Sequence, residues 1–148
     1  MFKKEFELDY KTIHKEYLSI LNLSKDDNIK LEVLKRLIFL NWEFIVESEV
    51  FTGIVDLDET AIKNSYEVLN SYIKLGLIDN EMKWMLEYYS DWDWIVLLHS
   101  ENKPELIQFV KSVDSLSSSL PKKQLTMGTM DNRGQMGLYW KAVVEKID

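Results

Sequence analysis

Apolar residues recur along this chain at steps of three and four, the spacing of helices, and one stretch is apolar on every side. From Phe6, the positions Phe6, Tyr10, Ile13, Tyr17, Ile20 and Leu21 define an amphipathic helix ending near Leu23. Ser24, Asp26 and Asp27 are N-cap residue types and open the next element. That element, Leu31 to Phe51, carries Leu37, Ile38, Phe39, Leu40, Trp42, Phe44, Ile45 and Val46, which cover nearly its whole circumference. A helix of that kind must be surrounded by others. Asn41 and Glu43 interrupt the run and keep it short of a membrane span, so it is expected at the centre of a bundle.

Gly53 marks the end of the central helix, and Asp56 or Asp58 caps a third, Glu59 to Leu75, with Ile62, Tyr66, Leu69 and Ile73 inward. Gly76 closes it, and Asp79 caps a fourth from Asn80 with Met82, Met85, Leu86 and Tyr89 inward. A break is expected at Ser90 and Asp91. Lys103, Pro104 and Glu105 start a further helix with Leu106, Phe109 and Val110. The serine-rich stretch from Ser115, reaching to residue 131, reads as a linker before a C-terminal helix with Met136, Tyr139, Trp140, Val143 and Ile147 on one stripe. Gly134 and Gly137 weaken that last helix, and a β-hairpin pairing QLTMGTM with QMGLYWKAV around Asp131 to Gly134 is the competing expectation. The prediction is an all-α single domain over residues 1–148, a bundle or short helical stack of about six helices. NWEFIV at Asn41 to Val46 echoes DWDWIV at Asp91 to Val96, which a duplicated helix pair of the armadillo or HEAT kind would explain; coincidence explains it more simply.

Composition supports a packed core: 46% hydrophobic and 12% aromatic residues in 148, with no cysteine. Disulfides, thiolate metal sites and thiol nucleophiles are thereby excluded. Glu5, Glu7 and Asp9 occupy the place where a signal peptide needs an apolar core, so a cytoplasmic setting is expected. The net charge of −7 is unevenly spread, since Leu40 to Glu101 holds thirteen carboxylates against three lysines. Such a field repels phosphate backbones and anionic membranes and attracts cationic partners; neither nucleic acid nor membrane is an expected partner, and a basic protein is.

Chemistry is sparse. No HExxH, phosphate loop or nucleophile elbow occurs, and the EF-hand pattern is absent, so no catalytic residue, metal or cofactor is predicted. His14 is expected at the boundary of the first helix and His99 in a last helical turn. Glu43 and Glu47, at i and i+4, would share a face and could act as an acid–base pair if a cleft held both. The aromatic residues overlap the acidic interval, and Trp84 and Tyr88 fall off the inward stripe of the fourth helix, facing either a second internal layer or solvent. A partner-binding face is therefore expected from Glu43, Glu47, Asp56, Asp58, Trp84, Tyr88, Asp91, Asp93 and Trp94, with aromatic anchors rimmed by carboxylates. Antidote or immunity-type inhibitors of basic proteins share this profile. The alternatives are a bundle enclosing a small ligand, or a minor enzyme, using Asp91, Asp93 and His99, and a scaffold module docking through Lys122 to Arg133.

Overall fold

The apolar circumference of the second helix becomes the centre of the molecule. In a computed structural model, which describes residues 9–47, 52–113 and 128–147, that helix is α2 (Asp27–Val46). Ten of its residues, from Val33 to Glu43, are buried, covering every direction around the axis. It starts earlier than the apolar pattern alone suggests because Asp26 caps it, accepting from the amides of Asn28 and Ile29 at 2.9 and 3.2 Å. It ends at Val46, short of the Phe51 expected from the sequence, because Glu47 takes up extended backbone; residues 48–51 lie outside the described residues.

Around α2 stand α1 (Tyr10–Leu23), α3 (Glu59–Leu75), the short α5 (Asp93–Val96) and α7 (Gly134–Ile147), while α6 (Pro104–Ser112) packs on α3. α4 (Asn80–Tyr89) reaches α2 and α7 through aromatic side chains. The predicted caps are present: Asp58 on α3, Asp79 on α4 and Gly76, at φ 69°, closing α3; α1 has in addition a cap that the sequence reading did not name, Asp9, which accepts from the Lys11 amide. α6 gains a start signal invisible in its own sequence, because Asn70 of α3 accepts from the Leu106 amide and donates to Glu105. The break at Ser90 is a 3-10 turn, Ser90–Trp92, followed by α5 and a second 3-10 turn, Leu97–His99. Among the described residues there is no strand, and no helix is long and apolar enough to cross a membrane.

The C-terminal helix expected from the sequence forms and the competing hairpin does not: its second half, from Gln135, is helical in α7, and residues 124–127 of its first half lie outside the described residues, as does most of the linker-like stretch. One of the two glycines that argued against the helix, Gly137, has a packing reason, while Gly134 at φ 64° supplies the left-handed turn that starts it. A Cβ on Gly137 would come within 2.3 Å of the Met130 carbonyl oxygen, so the turn at residues 128–130 and α7 can approach only across a glycine. The echo at Asn41 and Asp91 is not a structural repeat. Asn41 to Val46 is unbroken α-helix, whereas Asp91 to Val96 crosses from 3-10 to α geometry, with Trp92 at ψ 60°.

Candidate functional site

The acidic interval divides into carboxylates with partners and carboxylates without. Asp58 caps α3 through the Ala61 amide at 3.1 Å, with Lys15 4.0 Å away, and Asp56 accepts from Lys11 at 3.1 Å. Asp79 and Glu81 hold the buried Lys35, whose Nζ donates to them at 2.8 and 2.9 Å. Glu81 shares Arg133 with Glu32: the guanidinium donates to Glu32 Oε1 at 2.6 Å and to Glu81 Oε1 at 2.5 Å. Burial works to raise the Glu81 pKa, and the hydrogen bonds from Arg133 and Lys35 overcome it and hold the carboxyl below its ordinary value. These five groups clasp α2, α4 and the segment entering α7.

Glu87, Asp91, Asp93 and Glu101 are different. They lie in a stretch from Glu87 to Glu101 containing no lysine or arginine, and among the described residues none of the four forms an ion pair. Asp91, Asp93 and Glu101 are exposed. Between them stand Trp94 and Leu98, four residues apart and 59% and 54% exposed. α5 supplies this arrangement by burying Ile95 and Val96, which turns Trp94 outward.

The other aromatic residues form the second internal layer. Trp84 is 5% exposed and meets Trp140 edge to face at 4.8 Å, so it is a core residue and not the surface anchor expected from the sequence. The stripe pattern showed that Trp84 left the first face of α4, but Trp140 comes from α7, 56 positions later, and no local spacing reveals it. Tyr88 is half-buried, its hydroxyl 2.8 Å from that of Tyr139, and Trp92 packs edge-on against Trp42 at 5.2 Å.

Glu43 also belongs inside. It is 3% exposed, its Oε2 has no hydrogen-bond partner, and Tyr89 and Tyr139 lie close enough to feel its charge. Burial, with a smaller contribution from Glu47, pushes its pKa from near 4.5 up to about 8. Glu47 itself is exposed. The i, i+4 pair is thus split between core and solvent, and no cleft holds both carboxylates. Among the described residues no group of three carboxylate or imidazole side chains is placed to hold a metal ion.

His14 is not at a boundary but fully buried, its Nε2 2.7 Å from Asn41 Oδ1, while Asn41 Nδ2 donates to Ser65 Oγ at 2.8 Å. Burial lowers its pKa, against the pull of Asn41 and Asp58. The signal for this network was the polar Asn41 inside an apolar run: a buried amide requires partners. His99 ends the second 3-10 turn, stacked on Tyr66 with centroids 5.8 Å apart. It lines a cavity of about 240 Å³ between α2, the start of α3 and that turn. A smaller cleft of about 110 Å³ lies where α1, α2 and α7 meet, and its two arginines are already engaged by Glu32 and Glu81. Asp91 and Asp93 do not join His99 around the larger cavity. Comparison with family models, with curated proteins and with solved structures finds no significant match for the chain.

Proposed function

We propose that the protein is an acidic binding module for a basic protein partner, docked on the face that runs from Glu87 to Glu101. The observation that carries this is the pairing of an exposed Trp94 with four carboxylates that form no ion pair among the described residues, whereas Asp79, Glu81 and Glu32 neutralise Lys35 and Arg133. Trp94 and Leu98 would be the anchors, desolvated at the centre of the contact, with Glu87, Asp91, Asp93 and Glu101 as the charged rim that steers encounter. An antidote or immunity-type inhibitor masking a basic toxin or nuclease in the cytoplasm is the functional class this arrangement fits best. Nucleic acids and anionic membranes would be repelled by the same rim.

The test is capture from native lysate on wild-type protein and on the Trp94→Ala, Leu98→Ala double variant, at low and moderate salt, followed by affinity measurement on any basic protein retained. Trp94→Ala is expected to weaken the complex by about 2 kcal/mol or more. Asp91→Asn and Asp93→Asn should chiefly slow association and flatten its salt dependence. Equal affinity of the folded Trp94→Ala protein and wild type would remove this face from the interface.

A further inference from the structure

The cavity beside His99 has the makings of a second, chemically different site. Phe44, Ile45, Leu57 and Ile62 give it apolar walls, and at about 240 Å³ it is somewhat smaller than pockets that take drug-sized ligands, roughly 300 Å³ and upward. It is partly open, with Glu59 and the exposed edge of Ile45 at its margin. Two of its polar side chains form no hydrogen bond with any described residue. Tyr66 is 2% exposed, yet its hydroxyl makes no hydrogen bond to any described residue, and burial raises its pKa so that the proton stays on the oxygen. His99 stacks on the Tyr66 ring but neither imidazole nitrogen is hydrogen-bonded to a described residue; burial lowers its pKa and keeps the ring neutral, with one N–H and one bare nitrogen. Asn41, already bonded to His14 and Ser65, retains one N–H on the same wall.

Charges of both signs stand near His99: Glu59 pulls its pKa up while Lys63 and Lys103 push it down. The walls themselves are chiefly apolar, and they suit a molecule with an uncharged, apolar body whose polar edge meets Tyr66 and His99.

We propose that this cavity binds a small uncharged ring compound whose edge carries both a hydrogen-bond acceptor and a donor, a carboxamide being the simplest such edge, with Tyr66 and His99 reading that edge and Phe44, Leu57 and Ile62 holding the ring. His99 lies in the segment that carries the Trp94 face but is none of the contacts named for it, and the cavity's test needs no protein partner, so either proposal can fail alone.

The probes are benzamide and its charged isosteres benzoate and benzylammonium, titrated into isotope-labelled full-length protein and followed by amide chemical shifts. Benzamide is expected to shift the Leu57, Ile62, Tyr66 and His99 signals saturably, and both ions to bind at least several-fold more weakly. Tyr66→Phe keeps the ring and removes the hydroxyl; it should weaken benzamide roughly ten-fold. Ile62→Phe, which fills the cavity, should abolish binding while the protein's unfolding transition confirms that it is folded. His99→Ala, at the margin, provides a second variant should Tyr66→Phe disturb the core. Absence of saturable shifts with benzamide, equal or tighter binding of either ion, or benzamide affinity unchanged by both Tyr66→Phe and His99→Ala would overturn the assignment.

Discussion

Asp79 and Glu81 stand only a few residues before Glu87, Asp91 and Asp93, and in sequence all five look like parts of one acidic surface. Their surroundings differ completely. The first two close on Lys35 and Arg133 and join α4 to α2 and to the start of α7. The others lie on or beside a turn of 3-10 and short α geometry, exposed or half-exposed, with Trp94 and Leu98 open to solvent among them. A carboxylate's role is set by whether a distant cation reaches it, and here the cation that decides, on Arg133, comes 52 residues after Glu81. The clasp is an element of stability; the Trp94 face contributes little to the fold and is available for contact.

The contrast makes quantitative predictions. The largest effect belongs to the aromatic layer that the clasp closes over: Trp140→Ala, which empties the space against Trp84 and Tyr88, should cost about 3–5 kcal/mol in urea unfolding. Arg133→Met should cost about 2–4 kcal/mol, because Glu32 and Glu81 are left facing each other partly buried; a loss under 1 kcal/mol would mean that the clasp is ornamental. Glu43 gives a pH signature. The folded protein keeps its proton up to about pH 8, whereas the unfolded chain releases it above about 4.5, so stability declines as pH rises between those values. Glu43→Gln should abolish that decline, adding on the order of 4 kcal/mol at pH 8 and little at pH 4.5. What remains in the variant is the opposite limb from His14, whose lowered pKa makes stability fall as pH drops below 6.5. The smallest effect is expected at the open face, where Trp94→Ala should change stability by no more than about 0.5 kcal/mol. A larger loss would show that Trp94 is structural after all.

Much of the fold was legible because it is written in local patterns. The apolar circumference from Leu37 to Val46 announced a surrounded helix, and Asp26, Asp58, Asp79 and Gly76 marked the helix ends where they occur. Misreadings came from contacts between residues far apart in the chain. Trp84 was assigned to the surface because Trp140 is not its neighbour in sequence, and Glu43 because a carboxylate in an amphipathic count belongs to the polar side. The glycines of α7 looked like helix breakers, and only the approach of the Met130 carbonyl to Gly137 shows what they permit. Trp94, by contrast, was placed at the surface by its sequence surroundings, and there it is. Asp79 was legible as a cap from its place before α4, but nothing local showed that it also binds Lys35 or that Asp93 meets no such cation.

The position of α7 in the chain has a consequence for how the protein is made. Met136 and Trp140 are completely buried, and Arg133 answers charges on Glu32 and Glu81, which leave the ribosome long before it. Until residue 140 has emerged, α2 and α4 offer Trp42, Trp84 and Tyr89 to the solvent with a wall of their core missing, and the buried cation between them is absent. The nascent chain therefore closes this core only as synthesis reaches α7, and any chaperone that attends it would find its binding surface in that interval.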